Sequence, residues 1–299
     1  MKWKGRRQSS NVEDRRGQRV LGGGRGAGLG SVLITLLARG NAKTRILVIA
    51  AALVAVFVFK MSPQTLLGVS GGGGQPSVTQ VAPAPNDEMR AFLATIKADN
   101  EDIWSALFRE RGNSYRPAKL VIYNDRTIMP SGIADARMGP FYLPTNETVY
   151  IDPGFFDELH SRFGAPGDFA QAYVVGHEVG HHIQNLVGTS DAVRQAQARS
   201  GSQAEANSLS VAMELQADCY AGVWAHQINR RGGEVVLEPG DVEEGLRAAA
   251  AIGDDRLMRS AGRAANPESF THGSSEQRAM WLRRGLETGS MEACDTFGQ

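Results

Sequence analysis

The sequence predicts an α+β fold, mainly helical, with a small edge sheet and one transmembrane helix ahead of it. Three observations carry the prediction. From Glu88 onward, long stretches repeat apolar residues at helical spacing. Short β-branched and aromatic runs, such as Leu120-Val121-Ile122-Tyr123, lie between Gly, Pro and Asn signals. Ile46 to Phe59 is unbroken apolar sequence, bounded by Arg45 and Lys60.

The formal charge of the 299 residues is zero, but it is unevenly placed. Residues 1–45 hold eleven Lys and Arg against two acids, and the remainder carries the matching acidic excess. With no apolar periodicity and a glycine cluster at Gly22–Gly24, residues 1–45 read as a basic, disordered head. As a helix, Ile46 to Phe59 covers about 21 Å, short of a hydrocarbon core of about 30 Å. Snorkelling of Lys60 and continuation to residue 68 extend it, so 46–68 is expected to span a membrane once. After Lys60 no basic residue follows until Arg90. The head is therefore expected in the cytoplasm, anchored in the inner membrane, with the body extracytoplasmic or periplasmic. A basic head can also bind nucleic acid, but this one lacks interleaved aromatics, and no nucleic-acid partner is expected.

Residues 69–86 read as a Gly/Pro-rich linker, and the folded domain is expected over 87–299. Glu88 to Arg111 has helical spacing, with Phe92, Leu93, Ile96, Ile103, Trp104 and Leu107 on one side. Leu120–Tyr123 and Thr148–Asp152 are expected strands. Gly139–Pro144 between them is extended, because its prolines exclude helix. The region 139–152 is a candidate edge against which a substrate backbone can pair, or ordinary sheet beneath the helices.

Gly176-His177-Glu178-Val179-Gly180-His181-His182 follows, flanked by apolar residues and holding three of the six histidines. Pro166-Gly167-Asp168 and Gly188 give a helix start and stop. Residues four apart share a helix face, so His177 and His181 can present two nitrogens to one point, as a zinc ion requires. Glu178 then stands where a general base reaches a metal-activated water. The alternative is a pair of surface histidines on an amphipathic helix. Gly180 costs about 1 kcal/mol of helix stability relative to Ala, which suggests a close backbone or a close substrate.

A second long helix is expected from about Ala204 to Arg230. In it Glu214 and Asp218 lie four apart, among Met213, Leu215, Ala217, Cys219 and Tyr220. Glu-x-x-x-Asp alone is a common solvated face, but these neighbours argue for a buried one. Glu214 can supply the third ligand and Asp218 can accept the free ring N–H of a ligand histidine. Asp241 and Glu244 suggest a capped short helix, and Ser274 and Gln277 a reciprocal cap. Before that last helix, His272 and Arg278 are candidate catalytic donors to an oxyanion, His272 otherwise being a loop histidine bonded to backbone. Two cysteines, Cys219 and Cys294, in an extracytoplasmic domain more often form a disulfide than ligate metal.

Together, His177-Glu178-Val179-Gly180-His181-His182, Glu214-Leu215-Gln216-Ala217-Asp218-Cys219-Tyr220-Ala221-Gly222 and Phe270-Thr271-His272-Gly273-Ser274-Ser275 resemble the bacterial putative neutral zinc metallopeptidase family. Gly5–Gly17 and Gly139-Pro140-Phe141-Tyr142 resemble it too. The resemblance implies a membrane-anchored protein with a zincin-like, more narrowly gluzincin-like, HExxH metallopeptidase domain. It implies one Zn2+ per chain on His177, His181 and Glu214, with Glu178 as base and a peptide or protein as substrate. Relatives carry two further cysteines where this chain has Ser131-Gly132 and Tyr142-Leu143; their joint loss supports a Cys219–Cys294 pair. The expected function is a membrane-anchored zinc metalloendopeptidase, a hydrolase. The alternative is a catalytically silent zinc-binding scaffold of the envelope that binds a partner. An intact Glu178 favours the enzyme, because a structural zinc has no use for a base beside it.

Overall fold

The computed structural model describes residues 1–20, 78–79, 87–231 and 235–298. The chain divides into two units, one joining 1–18 to 80–299 and the other comprising 19–79. The fold is α+β and mainly helical, with a small sheet. Among the described residues no helix is long and apolar enough to cross a membrane, and the expected span at 46–68 lies outside them.

Over residues 1–18 the first unit corrects the expectation of a disordered head at 1–45, of which residues 21–45 lie outside the described residues. Residues 12–14 form a strand, β1 (Val12–Asp14), in the main sheet. The second unit's described part is a short antiparallel pair, β2 (Arg19–Val20) against β3 (Val78–Thr79). The domain therefore does not begin at residue 87 but includes the first eighteen residues. The cause is charge and polar complementarity to α1 (Glu88–Glu110), whose residues 92–101 are all buried. Ser9 and Asn11 donate to Glu101 at 2.7 and 2.9 Å, Arg7 reaches the Ala98 carbonyl at 2.8 Å, and Arg6 pairs with Asp99 at 2.9 Å. Trp3 meets Phe92 edge-on at 5.4 Å. A segment without apolar periodicity thus folds by covering the polar face of a helix.

The main sheet also holds β4 (Lys119–Ile122), β7 (Phe141–Leu143) and β8 (Thr148–Ile151), in the order β1-β4-β8-β7. β1, β4 and β8 run parallel, Leu120 facing Val12 on one side and Val149 on the other. β7 is antiparallel to β8 and forms one edge of the sheet, opposite β1, with no strand paired outside it among the described residues. Between Leu120 and Ile122, and again between Val149 and Ile151, every residue is buried, as expected of strands covered on both faces. A separate hairpin, β5 (Arg126–Met129) with β6 (Gly132–Asp135), was not anticipated. Gly139, at φ 74°, makes the turn that leads into β7.

Helices follow: α2 (Gly154–Ser161), α3 (Asp168–Leu186), α4 (Thr189–Gln197), α5 (Gln203–Arg231), α6 (Asp241–Ala251), α7 (Asp254–Ser260) and α8 (Ser275–Thr288). α5 is central, packed against both α3 and α8. Ser274 and Gln277 form the reciprocal cap of α8. Asp241 does not cap α6, whose start is Gly240; its carboxylate takes the Glu238 N–H at 2.7 Å and the Met1 amine instead.

Candidate metal centre

The site is built where α3 and α5 touch backbone to backbone. A Cβ on Gly180 would lie 2.8 Å from the Ala217 carbonyl oxygen, and one on Gly176 3.4 Å from the Ala221 Cβ. Partners that rise in number along α3 fall along α5, so the helices run antiparallel. This approach sets Glu214 and Asp218 opposite the histidines. Glu214 Oε2 is 3.2 Å from His177 Nε2, and Oε1 is 3.3 Å from His181 Nε2. The ligand atoms of these three residues lie within 4.8 Å of one another.

Both imidazoles are oriented from behind. His177 Nδ1 donates to Asp218 Oδ1 at 2.8 Å, and His181 Nδ1 donates to Gln184 Oε1 at 2.8 Å. With Nδ1–H engaged, the Nε2 lone pairs of both rings face Glu214, the tautomer a metal ligand needs. Asp218 is fully buried and also accepts from Tyr173 Oη at 2.6 Å and from Arg278 Nε and Nη2 at 2.9 and 3.0 Å. Gln184 in turn donates to the Met213 carbonyl at 2.7 Å.

The electrostatics call for a cation. Burial pushes the His177 imidazole down, but Asp218 and Glu214 outweigh it and raise the group to about 10, so without a metal ion Nε2 holds a proton that a divalent cation would displace to reach the lone pair. Burial pushes Glu214 up, yet the two histidines hold it well below the carboxylate range. Two lone pairs and a carboxylate converging in a buried site fit a divalent ion of the zinc type. Glu178, 7 % exposed, is raised chiefly by burial.

A cavity of about 670 Å³ opens beside the three side chains, lined also by Glu178, Tyr142, Phe155 and His272. Gly139 to Tyr142, at the β7 edge of the sheet, form part of its wall. Tyr142 Oη donates to His182 Nδ1 at 2.9 Å, and His182 Nε2 donates to the Arg116 carbonyl at 2.6 Å. The third histidine of the motif thus ties the edge strand to the helix that carries the other two.

The two expected oxyanion donors part company here. His272 is half exposed at the cavity, its Nδ1 held by Thr271 Oγ1 at 3.0 Å and Asp254 Oδ1 at 3.3 Å. Arg278 is 2 % exposed, and its Nε and Nη2 both serve Asp218. Cys219 and Cys294 form a disulfide. Sequence reasoning missed Tyr173, Gln184 and Asp254. The first two were within reach, since Tyr173 precedes His177 by four residues and Gln184 follows His181 by three, all on one stripe. A second acidic group, Asp168, Asp241 and Glu244, lies elsewhere, with the Met1 amine bonded to Asp168 at 2.7 Å and to Asp241 at 3.3 Å.

A family model described as "Putative neutral zinc metallopeptidase" matches residues 1–297. The uncharacterized protein YpfJ of Escherichia coli K12 is 44% identical over 302 residues, covering 100% of this chain and 99% of its own. The uncharacterized protein Mb2605 of Mycobacterium bovis is 38% identical over 253 residues, covering 78% of this chain and 84% of its own. No solved structure matches the chain significantly.

Proposed function

The chain belongs to the putative neutral zinc metallopeptidase family, and on that premise we propose that it is a zinc metalloendopeptidase with His177, His181 and Glu214 as ligands and Glu178 as general base. The observation that carries the reading is the pair of Nε2 atoms facing one carboxylate, each ring fixed through its other nitrogen. When bound, zinc would be held by His177, His181 and Glu214 and would supply Lewis acidity. Glu178 would hold and move the proton, taking it from the attacking water as the water oxygen bonds to the peptide carbonyl carbon and returning it to the leaving amine as the C–N bond breaks. Burial suits Glu178 to this shuttle, since a raised carboxyl both accepts and returns a proton readily. His272, with Nδ1 engaged, offers Nε2 to the oxyanion. Arg278 acts at one remove, as the positioning residue of Asp218. The substrate is a peptide or protein segment lying in extended form along β7, whose outer edge has no strand partner among the described residues. The disulfide favours an oxidising, extracytoplasmic compartment.

The test uses the purified full chain, because residues 1–18 belong to the folded unit. Zinc is measured by mass spectrometry, and wild type is compared with Glu178→Gln on a pool of denatured proteins. One zinc in both, with cleavage reduced about 10²–10⁴-fold in the Gln variant, is expected. One zinc without cleavage by either supports a scaffold, and a folded chain without zinc sinks the ligand assignment.

A further inference from the structure

β1 pairs with β4 backbone to backbone, Val12 opposite Leu120, Glu13 opposite Val121 and Asp14 opposite Ile122. The flanking backbone joins in: Lys2 N–H reaches the Val236 carbonyl at 2.8 Å and Ser9 N–H the Ala94 carbonyl at 2.9 Å. Basic side chains of the same segment meet later carboxylates. Lys4 pairs with Glu88 at 2.5 Å, Arg7 with Asp102 at 2.7 Å, and Arg16 with Asp87. The excursion that follows residue 18 begins and ends in β2 and β3, which pair with each other.

Strands hydrogen-bond over about 3 Å, whereas a bilayer core separates its two faces by about 30 Å. A polypeptide crossing a membrane once between residues 21 and 77 cannot form this sheet. We propose that residues 1–18 and 87–298 occupy the same compartment. The charge argument for a single span weakens on the same ground. Lys4, Arg6, Arg7 and Arg16 are folding contacts, the partners of acids on α1 and its cap, rather than a flank held back in the cytoplasm. Stranding them across a membrane would also uncover α1, whose residues 92–101 are buried in this fold. With Cys219 and Cys294 joined, the shared compartment is the oxidising one.

The test is cysteine accessibility in cells producing the full chain. Gln8→Cys reports on the first segment and Glu287→Cys on α8; both positions are exposed, and Ser10→Cys is a second reporter beside the first. The native cysteines are tied up and silent. A membrane-impermeant maleimide is applied to intact and to permeabilised cells, after the outer envelope has been opened. Labelling of both positions to the same extent in intact cells is expected. Labelling of both only after permeabilisation keeps the shared compartment and overturns its assignment to the oxidising side. Labelling of one position and not the other in intact cells overturns the proposal.

Discussion

Asp254 serves two purposes with one carboxylate. Its Oδ2 accepts the backbone N–H groups of Thr271, His272 and Gly273 at 2.7, 2.6 and 3.2 Å, while Oδ1 stands 3.3 Å from His272 Nδ1. The hydrogen bond from His272 to Asp254 raises the imidazole above its ordinary value of about 6.5, against a smaller opposing effect of burial. Since the folded value lies above the unfolded one, the stabilisation is fully present below about pH 6.5 and fades as pH rises through the folded value. In its proposed oxyanion role, His272 would through the same shift stay protonated, and a better donor, further into the alkaline range. Asp254→Asn keeps an acceptor for the backbone but removes the charge. It should move the alkaline limb of kcat/KM to lower pH and leave the acid limb in place, which a pH–rate profile checks. An unmoved alkaline limb would remove His272 from the donor role.

At the scale of elements, the decisive contact is the seam between α3 and α5. Gly180 to Ala would add about 1 kcal/mol of helix propensity. The new Cβ, however, would meet backbone atoms of Ala217 at 2.8 and 3.0 Å, and backbone cannot rotate aside. Overpacking of this kind costs about 1–3 kcal/mol, so the net effect should be destabilising. Because the seam also spaces Glu214 from the two histidines, Gly180→Ala should lose zinc to a chelator more readily than wild type. Thermal unfolding with and without chelator measures both effects. The edge strand is coupled to the same helix through Tyr142 and His182, the latter pushed down to about 4 chiefly by burial. That tie stays uncharged at neutral pH, so the wall of the cavity keeps its bond to α3 whatever happens to the ligands.

Across the whole molecule, the disulfide closes a loop of 75 residues between α5 and the C-terminal tail. In the chain-entropy model such a closure is worth about 4 kcal/mol. It has a line to the proposed metal centre as well: Gln216 donates to the Cys294 carbonyl at 3.0 Å and accepts from Gln184 at 3.1 Å, and Gln184 holds His181. Replacing both cysteines by serine should therefore lower stability by about 4 kcal/mol and weaken zinc retention together. Urea unfolding and zinc competition check the two readouts. A stability loss with unchanged zinc affinity would confine the disulfide to a structural role.

The sequence by itself determined which residue types could share a site and their local geometry. Four-residue spacing is a helical period, so His177 with His181, and Glu214 with Asp218, had to share faces wherever those helices went. The elements with strong apolar periodicity, α1, α3 and α5, were legible for the same reason. Only the tertiary structure decided which groups meet across elements. Arg278 was legible as a donor but not as the partner of Asp218, because that pairing depends on how α8 crosses α5. The first eighteen residues carried little local signal of order, having no apolar period and only Met1, Trp3 and Val12 as apolar residues. Their order comes from acids and carbonyls on α1 and from the edge of β4, some hundred positions later in the chain, and a contact between distant segments leaves no period in either of them.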